Sequence, residues 1–300
     1  MPVRLHALFL LAAVLAACSP KAYVVSRAAD ALSSGGDAFA RDDDPDLVRE
    51  AAPFPLKAME SLLAEQPENR ALLTALSRGF TQFTVAFVRQ DAEEESDPLL
   101  RRAGMERAGR LLLRAKEYGV RGLSVGRQGF AERLESDPAA AAAQTGEGDV
   151  PLLFWTAASW TLAMTSTPDA PALLADLPRC EALMRRALAL DEAFDGGAIH
   201  EYFIAFEGGR PEAMGGSAKR ALRHFERAME ISGGRKVSPL VTYAETVSVR
   251  VQNRKEFLDL LDQALAFDAR GTAPEYRLAN LVAQRRARWL KGRVDDLFVE

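Results

Sequence analysis

One helical pattern is written three times between residues 180 and 267. Each copy has small or apolar residues at offsets 0, 4, 7, 8 and 10, and the copies begin 41 and 36 residues apart. The members are Cys180, Met184, Ala187, Leu188 and Leu190; Ala221, Phe225, Ala228, Met229 and Ile231; and Phe257, Leu261, Ala264, Leu265 and Phe267. A nearly constant period of this length predicts helix pairs stacked as a solenoid.

The sizes of the residues within the pattern explain why such helices would stack. Offset 7 is always alanine, which lets neighbouring helices approach closely, and offset 4 is always a larger residue that fills the space between them. We therefore expect an all-α fold, a right-handed α-solenoid of degenerate tetratricopeptide-like helical hairpins. A solenoid offers a concave surface to a partner or ligand, so the pattern favours a binding protein.

Helical periodicity covers most of the remaining chain. Residues 69–88 have apolar side chains at three- and four-residue steps, and residues 150–164 are apolar on nearly all sides, as in a buried helix. We also expect a helix at 122–134. Pro53 and Pro55 predict a kink or a restart in the helix that begins near residue 46, and the acidic residues 91–97 predict a break.

The last helix, residues 274–290, is expected to cap the stack, because a terminal repeat needs one polar face. We place Leu278, Leu281, Val282 and Trp289 on its inner face and Arg285, Arg286 and Arg288 on its outer face. A solvated surface is the ordinary explanation of this basic face, and contact with anionic lipid is the alternative.

The first 17 residues are typical of an export leader. Arg4 precedes an apolar run, residues 7–17, that is too short to span a bilayer comfortably. Leu15-Ala16-Ala17-Cys18 resembles a bacterial lipobox, which predicts a diacylglycerol on Cys18; an uncleaved anchor or a secretion signal with an incidental cysteine is the alternative. Acyl chains would hold the protein on a membrane, and Ser19 favours the outer membrane over the inner one.

The predicted organisation therefore has three parts. Residues 1–17 are a lipoprotein signal peptide, residues 18–44 a lipidated tether with a short helix at 22–32, and residues 45–300 a helical domain. Cleavage removes Arg4 alone among the charged residues, which leaves 37 basic against 42 acidic side chains, a net charge of −5. A mildly acidic exported chain is a poor candidate for binding nucleic acid.

Few residues suggest catalysis or metal binding. His200-Glu201 begins like the helix of a zinc protease, but Ile204 stands where the second histidine is required. Cys180, alone after Cys18, is expected to be a buried thiol rather than a reactive one. Since the mature chain has only two histidines and no nucleophile or nucleotide motif, we predict no enzyme, no cofactor and no metal site.

The candidate binding residues are polar groups near the predicted concave face. His200, Tyr202 and Glu245 lie on first helices of hairpins, which line the groove in tetratricopeptide folds; ordinary packing is the alternative. Arg210 lies in a glycine-rich connection, residues 208–216, whose exposed amides could hold a carboxylate together with Arg210; a tight turn between helices is the alternative. Asn280 is placed to contact a ligand or to pair with Gln284, four residues further along the same helix; a structural role in the capping helix is the alternative.

The offsets resemble the second helix of the tetratricopeptide repeat, and the whole chain from about residue 46 to 298 resembles one family, the T-component associated with bacterial TRAP transporters. Pro55 and Glu192 are small departures from its pattern. The stretches that carry the resemblance are Val150-Pro151-Leu152 with Trp155-Thr156-Ala157-Ala158, Ala175-Asp176-Leu177-Pro178-Arg179, Met214-Gly215-Gly216 with His224-Phe225-Glu226-Arg227-Ala228, and Leu278-Ala279-Asn280 with Ala283-Gln284 and Arg286-Ala287.

This resemblance implies a periplasmic, lipid-anchored, all-helical protein that is able to form a homotrimer with a pore-like passage. It also implies a partner, the extracytoplasmic solute-binding protein (P-component) of a TRAP system, and a small organic or hydrophobic ligand. No catalytic residues are implied. A generic tetratricopeptide scaffold for envelope assembly is the structural alternative, and a helical-toroid hydrolase or lytic enzyme is the enzymatic one.

Overall fold

A computed structural model describes residues 27, 29, 31, 32, 36–167 and 171–299, and every regular element among them is a helix. The prediction of an all-α fold is confirmed. The predicted signal peptide, Cys18, Ser19 and most of the predicted helix at 22–32 lie outside the described residues. Ala29, which belongs to that helix, is fully buried against side chains such as Leu56 and Met59.

The helices follow one another with short connections. In the N-terminal half they are α1 (Gly36–Ala40), α2 (Pro45–Ala51), α3 (Pro53–Glu65), α4 (Arg70–Phe83), α5 (Gln90–Glu94), α6 (Pro98–Ser124), α7 (Phe130–Ser136), α8 (Pro138–Ala143) and α9 (Val150–Ser166). In the C-terminal half they are α10 (Leu177–Leu190), α11 (Phe194–Gly208), α12 (Ala218–Ser232), α13 (Ser238–Tyr243), α14 (Arg254–Ala266), α15 (Arg277–Lys291) and α16 (Val294–Leu297). Segments of π-helix follow α4 (Thr84–Arg89) and α13 (Ala244–Ser248).

Local sequence determines where several of these helices begin. The Asp44 carboxylate accepts hydrogen bonds from the amides of Asp46 and Leu47, and Pro45 occupies the first turn of α2, as expected for a helix entry. The next helix, α3, starts at Pro53, so the predicted restart is confirmed.

The predicted break at residues 91–97 begins four residues too early. The helix continues through the π-helical segment and α5 to Glu94, because Arg89 bonds Glu93 and Gln90 bonds Glu94 one turn on. Among the described residues, the stretch from Arg70 to Glu94 is 25 residues long and apolar enough to cross a membrane, but half of its apolar window is buried against the rest of the protein.

The predicted helix at 122–134 is wrong. Residues 98–124 form one long helix, α6, and a separate helix, α7, starts at Phe130. Gly126 and Gly129 between them have φ angles of 72° and 70°, a left-handed conformation that interrupts a helix and that glycine adopts without a steric penalty.

The repeated pattern of residues 180–267 is buried as expected. Offsets 0 and 7 of all three copies are at most 1% exposed, and at offset 4 only Phe225 is half-buried. Helices that follow one another pack as pairs, α11 with α12 and α14 with α15, while α9 lies between α6 and α10. The continuous right-handed solenoid remains a prediction.

The inner face assigned to the last helix is right only in part. The buried residues of α15 are Asn280, Ala283, Gln284, Ala287 and Leu290, whereas the four apolar residues predicted to point inward are only partly buried, and of these Trp289 packs against the core. Small and amide side chains suit this face because α15 crosses α13 and α14 closely.

Two of the three arginines predicted to face solvent pack on the N-terminal helices instead. Arg285 bonds the carboxylates of Asp91 (2.8 Å) and Glu94 (2.6 Å) of α5, and Nη1 of Arg286 lies 2.6 Å from the carboxylate of Glu93 in the same helix. Therefore α15 joins the C-terminal part of the fold to its N-terminal part.

Candidate functional site

Three of the candidate residues lie on α11 and the connection that follows it. The helix starts with a left-handed turn at Asp195, Gly196 and Gly197. A Cβ at Gly197 would lie 3.3 Å from the Cα of Ala228, so glycine lets α11 and α12 come close together. This close pair positions the side chains of His200, Tyr202 and Arg210.

Tyr202 and Arg210 are joined by an aromatic column along α11. The Tyr202 ring stacks on the Phe206 ring (centroids 5.6 Å apart, 20° between planes), and the Arg210 guanidinium lies 3.6 Å from the centroid of Phe206. The Tyr202 hydroxyl bonds the Thr161 hydroxyl at 2.9 Å. Burial raises the pKa of Tyr202, so the phenol stays neutral and acts as a packing and hydrogen-bonding group.

The side chain of Arg210 closes the glycine-rich connection. Its Nε donates to the carbonyl of Phe206 (2.8 Å) and its Nη1 to the carbonyl of Met214 (3.3 Å). Gly216 is required there because a Cβ would overlap the Arg210 carbonyl oxygen. The amides of Gly215 and Gly216 already donate to backbone carbonyls of the same connection, so they face inward in this conformation.

A buried carboxylate anchors this connection to α12. Glu207 is 2% exposed and pairs with Arg220 at 2.7 Å. The Ser217 hydroxyl caps α12 by accepting from the amide of Arg220 (3.3 Å). The connection is therefore a firmly held turn that presents Met214, 58% exposed, at the surface.

His200 meets a residue that sequence reasoning did not connect with it. Its Nδ1 lies 2.9 Å from Nδ1 of His224 on α12, and the Phe203 ring stacks on the His224 ring with centroids 4.9 Å apart. The spacing of 24 residues in the sequence gave no indication of this contact. The one indication available was that these are the two histidines that follow the predicted signal peptide.

Glu245 and Asn280 lie in a different region, around α15. Glu245, in the second π-helical segment, bonds Nε of Arg286 at 3.2 Å, and Nη1 of Arg286 lies 2.6 Å from Glu93. Asn280 is 1% exposed; its side-chain oxygen accepts from the amide of Val237 and its nitrogen donates to a backbone carbonyl. The five candidates therefore form two groups, and Asn280 holds the start of α13 in place.

The described residues contain no group of three or more His, Cys, Asp or Glu side chains placed to hold a metal ion. Burial raises the pKa of the Cys180 thiol to about 12, so it is the buried, protonated thiol that the sequence predicted. In both groups the polar side chains bond to neighbouring parts of the protein and hold helices and turns together.

Comparison with known proteins decides the family. The model of the TRAP transporter T-component family matches residues 41–298. The chain belongs to this family. As a T-component it is an accessory part of TRAP transporters, a role not known as catalytic, and it is expected at the membrane or in the periplasm.

This T-component also resembles a protein of Treponema pallidum (strain Nichols) that is described as an uncharacterized protein. The two are 29% identical over 268 residues, which cover 87% of this chain and 83% of the relative. The similarity therefore extends over most of both chains.

Proposed function

We propose that this T-component is a non-catalytic, lipid-anchored periplasmic protein that docks the extracytoplasmic solute-binding protein of a TRAP system and holds a small organic or hydrophobic ligand. The observation that carries the proposal is the family match over residues 41–298. That span includes every described helix from α2 to α16, so the match extends over nearly the whole helical fold.

Anchoring through Cys18 is tested by membrane fractionation. The wild-type protein should sediment with membranes and be released only by detergent, and Cys18→Ala should leave it soluble in the periplasm or retained as an uncleaved precursor. Wild-type protein that appears in the soluble periplasmic fraction would contradict lipid anchoring. Density separation of the two membranes then tests the preference for the outer one.

Docking is tested by copurification. The full chain, tagged at its C-terminus and extracted in detergent, should bring down the solute-binding protein of the TRAP system of the same cell. A tagged lipoprotein with a different helical domain serves as control. If both recover equal amounts of the solute-binding protein, docking is ruled out and the chain is a scaffold of another kind.

The proposed contact residues are His200, Tyr202, Arg210, Glu245 and Asn280. Arg210 and Glu245 are partly accessible, with side chains 19% and 35% exposed. We expect Arg210→Ala to weaken partner or ligand binding, whereas Arg223→Ala, an exposed arginine on α12, should not. Equal affinities in the two variants would remove Arg210 from the site.

A homotrimer is part of the same proposal, because a ring of three copies would present three docking surfaces at the membrane. Light scattering on the detergent-extracted chain, corrected for bound detergent, measures the protein mass directly. A mass of three chains supports the trimer, and a mass of one chain at micromolar concentration excludes it.

A further inference from the structure

Helix α6 exposes a row of arginines along one side. Arg107, Arg110 and Arg114 are exposed on successive turns, and Arg121 follows on the same side further along the helix. Neither Arg107 nor Arg110 forms an ion pair with another described residue. We call these four residues the arginine face.

Two leucines are exposed where α6 begins. Leu99 is 78% exposed and Leu100 is 60% exposed. The Asp97 carboxylate accepts hydrogen bonds from the amides of both leucines (2.8 and 3.2 Å), so this turn is held in helical form. Leu99 lies about three turns before Arg110 on the same side of the helix. Large apolar side chains beside a row of basic ones are typical of helices that lie at a membrane surface.

The chain that comes from Cys18 enters the fold beside the arginine face. Ala29 is fully buried in an apolar cluster against which Leu111 and Tyr118 of α6 pack, and these two residues lie three or four positions from arginines of the face. An extended chain from residue 18 to residue 29 spans at most about 40 Å. A lipid on Cys18, which is part of the proposed function and on which this inference rests, therefore keeps α6 close to the membrane.

The distribution of charge makes α6 the side that an anionic surface attracts. The chain that follows the predicted signal peptide has a net charge of −5, whereas α6 carries seven basic against two acidic side chains, a net charge of +5. Glu60, Glu95 and Asp97 lie beside the helix and reduce this attraction. Six of the seven basic residues are arginines, whose guanidinium forms paired hydrogen bonds with phosphate groups.

We propose that the arginine face of α6, together with Leu99 and Leu100, binds the surface of a phospholipid membrane that contains anionic lipid. The guanidiniums contact phosphate groups, and the two leucines enter the boundary between headgroups and acyl chains. Such a contact is weak by itself, but an anchored chain meets its own membrane at a high effective concentration. The contact gives the protein a fixed orientation on the membrane.

The test follows the environment of residue 99 in the full lipidated chain. Leu99→Cys, labelled with a polarity-sensitive fluorophore, is reconstituted into vesicles of phosphatidylcholine alone or of phosphatidylcholine with phosphatidylglycerol. Cys18 is acylated through its sulfur and Cys180 is fully buried, so the label attaches at residue 99. We expect a blue shift of the emission that is much larger with phosphatidylglycerol and that high salt removes.

Val251→Cys is the matched control for the label. Val251 is 50% exposed and lies in the connection before α14, far along the chain from α6. Its emission should be the same in the two kinds of vesicle. An equal blue shift at residues 99 and 251 would mean that the label itself responds to the vesicles, and the proposal would be overturned.

Substitution of the arginines tests the role of charge. Arg107→Gln combined with Arg110→Gln should lower the ratio of membrane-bound to free α6 by about fivefold for each arginine, with little change in helix propensity. Arg223→Gln combined with Arg288→Gln removes the same charge at exposed positions elsewhere and should leave the emission of labelled Leu99→Cys unchanged. Circular dichroism checks that both variants fold as the wild type does.

Flotation of the same samples separates this proposal from the acyl anchor. If the chain floats with both kinds of vesicle and the emission at residue 99 is the same in both, the proposal is overturned and the anchor stands. If it floats only with anionic vesicles and shows the blue shift, the arginine face is supported and the anchor is contradicted. A shift caused by the solute-binding protein, and by neither kind of vesicle, would assign the face to that protein and overturn the proposal.

Discussion

At the scale of single residues, the alanine at offset 7 determines how closely the helices approach. Ala228 is 1% exposed and lies opposite Gly197 at the start of α11. Ala228→Phe would force a ring into this contact, so we predict a loss of about 1–3 kcal/mol in the free energy of unfolding. Urea denaturation of the detergent-extracted chain measures it.

Leu222 provides the matched control for this substitution. It lies on the same helix but is 40% exposed, so Leu222→Phe should change stability by less than about 0.5 kcal/mol. Equal denaturation midpoints for the two variants would show that offset 7 does not face a packed neighbour.

The pair of histidines predicts a pH dependence. Burial, followed by the nearby His200, lowers the pKa of His224 to about 4, whereas an unfolded histidine titrates near about 6.5. Between these values the unfolded chain binds more protons, so the contribution of His224 to stability is complete above about pH 6.5 and is lost as the pH falls towards 4.

We therefore predict that lowering the pH from 7 to 5 destabilises the wild type more than His224→Gln. Urea midpoints of both proteins at the two pH values test this, and the comparison cancels the titration of carboxylates common to both. The same fall in midpoint for both proteins would mean that His224 titrates normally in the folded state.

The contacts of the candidate residues were only partly predictable from the sequence. Tyr202 was selected as a polar residue on a helix that was expected to line a groove, and Arg210 as a cation in the glycine-rich connection; the structure brings them together through Phe206. Their i, i+4, i+8 spacing would have predicted that column. The partner of His200 could not be predicted, because the packing of α11 on α12 brings His224 to it.

At the scale of elements, α6 crosses α4 and α9 at a glycine. A Cβ at Gly119 would overlap the hydroxyl of Thr156, which already donates to the carbonyl of Leu152, and would lie 3.1 Å from the hydroxyl of Ser77. We predict that Gly119→Val destabilises the protein by about 1–3 kcal/mol through overpacking at this crossing.

Glu117→Val is the control on the same helix. Its side chain is exposed, so only the lower helix propensity of valine acts, about 0.5 kcal/mol. Thermal denaturation followed by circular dichroism compares the two variants. If Glu117→Val lowers the stability as much as Gly119→Val, the loss at Gly119 does not come from overpacking between α4, α6 and α9.

Element boundaries were predictable where a proline or a capping side chain fixes them, as at Pro45 and Pro53. They were not predictable where a glycine adopts a positive φ angle. Gly126 and Gly129 interrupt an otherwise helical pattern, and Gly122 and Gly119 in the same region remain helical because they face other helices. Tertiary packing determines whether such a glycine stays helical or interrupts the helix, and the hydrophobic periodicity of the sequence does not contain that information.

At the scale of the whole molecule, α15 joins the two ends of the described fold. Arg285 bonds Asp91 and Glu94 of α5, and its side chain is 33% exposed. We predict that Arg285→Ala weakens this junction by about 1 kcal/mol, which corresponds to roughly fivefold faster amide hydrogen exchange. Mass spectrometry should detect the change in residues 90–94 and 277–291.

Arg288→Ala is the control for this junction, because Arg288 is exposed on the same helix. It should leave exchange in both segments as in the wild type. If exchange accelerates in α15 alone after Arg285→Ala, the ion pairs do not hold α5 and α15 together.

The all-helical fold and the burial of the repeats followed from hydrophobic periodicity. The ion pairs that join α15 to α5 did not. The sequence predicted a solvated basic face on the last helix because three arginines lie together there. The acidic partners of Arg285 and Arg286 lie more than 190 residues earlier, apart from Glu245. Complementary charge over such a distance is not visible as a local pattern.

The central claim is that this T-component works by holding a solute-binding protein. Biolayer interferometry with the full chain in lipid nanodiscs, titrated with the purified solute-binding protein of its TRAP system, measures that interaction directly. We predict saturable binding with one partner per chain and none for a solute-binding protein from an unrelated transporter. Equal responses to the two proteins, or no response to either, would contradict it.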